Sequence, residues 1–143
     1  MLLGGYLWVY FWGMFLKKEM QMRFTKKMKL NATEVAQIRR RSSEYIWVAI
    51  DIKKGVIATG DECLIDLRDL LQYKYHSRPS NIFGVGLNLR TGEIYHAPVI
   101  DRMNAIYRNA KGVPANICNR IETLIAYFFE DFAPFRRPSK RVY

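Results

Sequence analysis

The stretch of sequence that decides the fold is residues 45–60, YIWVAIDIKKGVIATG. Aromatic and β-branched residues dominate Tyr45–Ile52, which predicts a strand. Residues 53–55 predict a turn, because Gly55 accepts a positive φ without steric cost, and Val56–Thr59 predict the returning strand. The stretch is therefore predicted to be a β-hairpin.

Helical patterns lie on both sides of this hairpin. Asn31 and Glu34 have the spacing of a capping box and predict a helix over residues 32–41. Leucines at helical spacing predict a second helix from Asp61 to about Tyr73. A third apolar stripe begins after Pro114 and ends before Pro134, which predicts the final helix.

A second hairpin is predicted between the second and third helices. Asn81–Leu89 and Glu93–Val99 have strand-like composition, and residues 90–92 supply the turn. The predicted order is helix, hairpin, helix, hairpin, helix. This order favours a single α+β domain over residues 28–133, with a four-stranded, mainly antiparallel sheet and helices on one face.

The positive charge is concentrated at the two ends of the chain. The protein has 143 residues and a formal net charge of +10. The net charge is +7 over residues 1–43, −1 over residues 44–133 and +4 over residues 134–143. The pattern indicates a nearly neutral domain with a basic N-terminal extension, residues 1–27, and a basic C-terminal tail, residues 134–143. Both extensions favour nucleic acid or another polyanion as a partner.

The extension contains fifteen uncharged residues, Leu2–Leu16, followed by Lys17 and Lys18. As a helix this segment would span about 22 Å, less than the roughly 30 Å hydrocarbon core of a bilayer. Three interpretations stay open: a short anchor at a membrane surface, a dispensable extension, and a segment packed on the domain. The lysines would hold the domain on the cytoplasmic side, so we expect a cytoplasmic protein, membrane-associated if the anchor operates.

Two cysteines, Cys63 and Cys118, are too few for a disulfide framework and favour buried thiols in a reducing compartment. They do not combine with His76 or His96 into the short spacings of zinc ligands. We therefore expect no metal site and no cofactor. The sequence does not decide the oligomeric state.

Acidic residues supply weak catalytic candidates. Asp51 and Lys53 have the Asp-x-Lys form of half a metal-dependent nuclease site, and Asp66 is a third candidate. A polar hairpin end and a solvated helix face explain the same residues more simply.

An anion pocket is the better-supported prediction. Polar and basic residues precede the second hairpin and follow it, and a hairpin brings its two ends together. Guanidinium groups suit carboxylate or phosphate. The candidates are Ser77, Arg78, Asn81, Arg102, Asn104, Arg108 and Asn109. Solvated loops are the alternative.

Two blocks, residues 48–60 (VAIDIKKGVIATG) and residues 77–86 (SRPSNIFGVG), together resemble a family of small bacterial proteins catalogued as a domain of unknown function, number five-six-seven-four. The resemblance covers residues 28–130. The matching positions are Asp51, Gly60, Ser77, Arg78, Ile82 and Gly84. Phe83 stands where the family has Trp, and the family's His before the second helix is absent. The resemblance implies no reaction, and it implies that residues 1–27 lie outside the domain.

These observations favour a non-enzymatic binding or accessory module that recognises an anionic partner, either nucleic acid or a phosphorylated ligand. A small metal-dependent nuclease or toxin-like enzyme is one alternative. A membrane-tethered accessory protein is the other.

Overall fold

The computed structural model describes residues 22–41, 44–60, 63–97 and 113–135. Within these ranges the chain forms five strands and three α-helices. The strands are β1 (Arg23–Lys26), β2 (Tyr45–Asp51), β3 (Val56–Gly60), β4 (Ile82–Asn88) and β5 (Ile94–His96), and the helices are α1 (Ala32–Arg41), α2 (Leu64–Tyr75) and α3 (Ala115–Phe128). Short 3-10 helices cover Pro79–Asn81 and Ala133–Phe135.

The strands form one antiparallel sheet in the order β1-β3-β2-β4-β5. The predicted α+β class with an antiparallel sheet is confirmed. The predicted count of four strands is wrong, because β1 pairs with β3 and places Arg23 opposite Gly60. A strand therefore precedes α1, so the predicted helix-first order is also wrong. This strand begins before residue 28, where the sequence places the start of the domain.

Helices cover both faces of the sheet, whereas the sequence predicts them on one face. On the first face, Ile46, Val48 and Ile50 of β2 belong to a core that includes Ile38 of α1 and Ile125 of α3. Val56 and Ala58 of β3 lie on the second face, in a smaller core with Leu67 and Leu71 of α2. Strands buried on both faces have nearly continuous apolar sequences, so the alternation that would separate the faces is weak.

The predicted capping box at the start of α1 is confirmed. The Glu34 N–H donates to Asn31 Oδ1 over 2.8 Å, and the Asn31 N–H donates to Glu34 Oε1 over 2.9 Å. Lys26 Nζ lies 2.9 Å from the same Glu34 oxygen. The cap therefore also joins the end of β1 to the start of α1.

Candidate anion-binding site

The site begins at the C-terminus of α2, where His76 ends the helix. His76 has φ 54° and ψ 36°, and its N–H donates to the carbonyl of Leu71. This left-handed conformation is uncommon outside glycine, although histidine adopts it more often than most residues. It turns the chain from α2 toward Ser77 and β4.

The turn between β2 and β3 forms the opposite side of the site. Asp51 is fully buried, and its Oδ1 accepts the N–H groups of Lys53 and Lys54, each over 3.0 Å. Gly55 then adopts φ 67° and donates its N–H to the Asp51 carbonyl. The turn directs Lys54 toward α2, where its ammonium donates to the carbonyl of Tyr75.

Three ammonium groups surround Tyr75. Lys27 Nζ lies 5.3 Å from the centre of the Tyr75 ring and Lys74 Nζ lies 6.0 Å from it, while Lys54 binds the Tyr75 carbonyl. With Val56 and His76 these residues line an open cavity of about 520 Å³. We call this cavity the lysine pocket.

None of the three ammonium groups forms an ion pair within the described ranges of the chain. Other lysines there do: Lys26 pairs with Glu34, and Lys29 pairs with Glu130. Like charges gathered around one residue repel one another, and the cation–π contacts of Lys27 and Lys74 offset only part of that repulsion. An anion bound between them would neutralise the cluster.

Only three of the predicted anion-binding residues, Ser77, Arg78 and Asn81, lie among the described residues. Ser77 is buried, and its Oγ has no hydrogen-bond partner among the described residues. Arg78 is exposed two residues beyond His76, and the Asn81 carbonyl accepts the N–H of Ile52.

The second half of the predicted pocket falls after β5. The N–H of Ala97 donates to the carbonyl of Gly84. The end of β5 therefore lies beside the start of β4, as the hairpin argument requires. Arg102, Asn104, Arg108 and Asn109 lie outside the described residues.

The three lysines do not stand out in the sequence as a site. They come from β1's end, from a turn and from a helix, and they are far apart in the sequence. Paired lysines at residues 26–27 and 53–54 were the only local signal. Such pairs are common on solvated turns.

The weak catalytic candidates do not converge. Asp51 directs one carboxylate oxygen at backbone N–H groups, and Lys53 is exposed. Asp66 lies in the first turn of α2, about 13 Å along the helix axis from Tyr75, whose carbonyl Lys54 contacts. Within the described part of the chain no three His, Cys, Asp or Glu residues are grouped to hold a metal ion.

The cysteines lie apart from this site. Cys63 is exposed, so the prediction that it is buried is wrong, and its Sγ lies 3.0 Å from Asp66 Oδ2. Cys118 is half-buried on α3.

No described helix is both long enough and apolar enough to cross a bilayer. The proposed anchor, Leu2–Leu16, lies outside the described residues.

Comparison with known proteins finds no matching family model, no matching curated protein and no matching solved structure. The resemblance to the five-six-seven-four family stays a prediction.

Proposed function

We propose that the protein is a binding module for a phosphate-bearing partner, with nucleic acid as the main candidate and a small phosphorylated ligand as the second. The observation that supports this proposal is the lysine pocket. Lys27, Lys54 and Lys74 gather around one tyrosine, and none of the three has a carboxylate partner among the described residues.

The chemistry of the pocket suits phosphate. Each lysine ammonium offers up to three N–H donors, and a phosphate group offers several acceptor oxygens. The cavity of about 520 Å³ has room for a phosphate group and the atoms attached to it. Arg78 follows His76 closely along the chain and supplies a further positive charge near the pocket.

The charge at the ends of the chain favours a polymeric partner. The basic residues in 1–43 and 134–143 would attract a polyanion over about one Debye length, roughly 10 Å at 0.1 M salt. The pocket would then hold one phosphate group of that polymer at a defined place. The membrane-tethered and nuclease alternatives gain no support from the described residues.

A charge-matched pair of variants tests the proposal. The first is Lys27→Gln, Lys54→Gln and Lys74→Gln in the full chain, and the control is Lys29→Gln, Arg40→Gln and Arg90→Gln. Both lose three positive charges. Binding of a fluorescent 20-nucleotide single strand is measured by anisotropy across a salt series, and inorganic pyrophosphate is titrated by calorimetry.

We expect the pocket variant to lose at least tenfold in affinity for the strand and the control to lose less than threefold. The slope of log affinity against log salt should fall by about 0.7 in the pocket variant, since the pocket holds one phosphate group and each lost phosphate contact lowers the slope by roughly 0.7. Pyrophosphate binding that depends on the pocket without strand binding would indicate the small ligand. Equal losses of affinity in both variants would refute the proposal that the lysine pocket binds phosphate.

A further inference from the structure

A second surface lies on the second face of the sheet, at the end away from the lysine pocket. The register places Trp47 of β2 and Tyr95 of β5 on either side of Gly86 in one row across the sheet. Tyr45 lies on the same face, two residues before Trp47. We call Tyr45, Trp47 and Tyr95 the aromatic face.

The aromatic face is exposed although two of its members, Tyr45 and Trp47, touch each other. Tyr45 and Trp47 meet edge to face with ring centres 5.5 Å apart. The Tyr45 ring also covers Gly86, where an added Cβ would lie 2.5 Å from Tyr45 Cε1. Even so, Tyr45, Trp47 and Tyr95 are 43, 36 and 51% exposed. Helix α2 covers a different part of this face, around Val56 and Ala58.

A carboxylate lies beside the rings. The N–H of Asn88 donates to the Glu93 carbonyl over 2.9 Å, and Asn88 lies opposite Tyr45 in the register, so Glu93 and Tyr45 lie on either side of the same β4 residue. Burial, the charge of Glu93 and the hydroxyl of Tyr95 raise the pKa of the Tyr45 hydroxyl. Within the described ranges Glu93 makes no ion pair. Aromatic rings with an adjacent carboxylate attract cations, and an Arg or Lys side chain over such a ring is stabilised by the negative charge of the ring face.

The size and charge of the surface restrict its occupant. At about 200 Å² for a full aromatic side chain, the exposed part of the three rings is about 260 Å². A stable dimer needs about 800 Å² from each partner, so a second copy is disfavoured. The Glu93 carboxylate would repel the phosphates of a stacked single strand. A short cationic segment fits both properties.

The chain carries such a segment nearby. Residues 136–143, RRPSKRVY, hold four positive charges and no negative charge. They follow Phe135, and Pro134 packs against Gly92, where an added Cβ would lie 2.8 Å from Pro134 Cβ. Gly92 directly precedes Glu93. Phe135 is buried in the core of the first face, so the segment first has to pass the end of the sheet, a distance of roughly 10 Å, and then cross roughly 15 Å of the aromatic face. Eight extended residues reach about 27 Å, which covers this path.

We propose that residues 136–143 of this chain bind across the aromatic face in the same molecule, with Arg or Lys side chains over Tyr45, Trp47 and Tyr95 beside Glu93. The proposal assigns an intramolecular role to the basic tail. It does not depend on the lysine pocket.

Trp47 reports this contact directly. The chain has three tryptophans, so Trp8→Phe and Trp12→Phe leave Trp47 as the single emitter in an otherwise full chain. Acrylamide quenching is measured in this parent and in a tail variant, Arg136→Gln, Arg137→Gln, Lys140→Gln and Arg141→Gln. The control carries Lys29→Gln, Arg40→Gln, Arg41→Gln and Lys53→Gln, and circular dichroism checks the fold of all three.

We expect the quenching constant of Trp47 to rise at least 1.5-fold in the tail variant and to stay at the parent value in the control. Glu93→Gln in the parent should give a smaller rise. Equal quenching in parent and tail variant would overturn the proposal. So would protection of Trp47 that appears only as protein concentration rises, since it would show the tail of a second copy on this face.

Discussion

Replacing Asp51 separates a structural role of this residue from a catalytic one. Its carboxylate is fully buried, and one oxygen accepts the N–H groups of Lys53 and Lys54. We therefore expect Asp51→Ala to destabilise the turn between β2 and β3, and Asp51→Asn to destabilise it much less, because asparagine keeps an acceptor oxygen at the same place.

The magnitude follows from the contacts. Each hydrogen bond contributes about 1 kcal/mol, less than the roughly 1.5–3 kcal/mol usual for a charged acceptor, because Lys53 and Lys54 are exposed and water can replace the carboxylate. A cavity of roughly 20 Å³ adds about 0.5 kcal/mol. Removing Oδ2, which is buried without a partner among the described residues, offsets part of this cost. Asp51→Ala should lose about 2 kcal/mol and Asp51→Asn less than about 1 kcal/mol.

Urea denaturation of the wild type and both variants measures these losses, and RNA incubated with Mg²⁺ is examined in parallel. A loss below 0.5 kcal/mol for Asp51→Ala, or equal losses for both variants, would refute the structural role. Magnesium-dependent RNA cleavage by the wild type that Asp51→Asn abolishes without loss of stability would support the nuclease alternative instead.

Four further predictions concern single residues. Gly60→Ala should cost about 2–3 kcal/mol by urea denaturation, because the residue has φ 147° and its Cβ would lie 2.0 Å from the Met22 carbonyl oxygen; an unchanged midpoint would contradict this packing of β1. Leu71→Ala should cost about 2–5 kcal/mol in the same assay if α2 covers the second face, and a surface-like loss would argue against that cover. His76→Gly should stabilise the fold by about 1 kcal/mol, seen as a higher melting temperature, because glycine adopts the left-handed conformation without strain; a lower melting temperature would count against the helix end described above. Glu93→Gln should lower the pKa of Tyr45 in ultraviolet titration, with Tyr45→Phe identifying the signal, and no change would show that the two side chains do not interact.

Local patterns predicted much of the secondary structure. The capping box at Asn31 and Glu34 needs only neighbouring residues, and it forms as predicted. β1 was missed because four residues, Arg23–Lys26, carry no strand pattern of their own. β1 can lie close to β3 because Gly60 of β3 has no side chain at the point of contact. The signal for this strand therefore lies in its partner strand and not in residues 23–26.

The cover of the second face depends on side chains of the whole sheet. Ala49, Ala58 and Gly84 are small, so α2 can pack against this part of the sheet. At the other end Tyr45, Trp47 and Tyr95 are large, and they stay partly exposed. The apolar runs of β2 and β4 alone do not show which parts of a face are covered.

The sequence alone determined the α+β class, the helix cap and the turn at Gly55, because each depends on residues that are neighbours in the chain. It also showed that the net charge lies mainly in the ends. Only the tertiary structure decided that Lys27, Lys54 and Lys74 meet at Tyr75. Their meeting depends on β1 pairing with β3 and on α2 packing over the second face, and both are contacts between residues distant in the sequence.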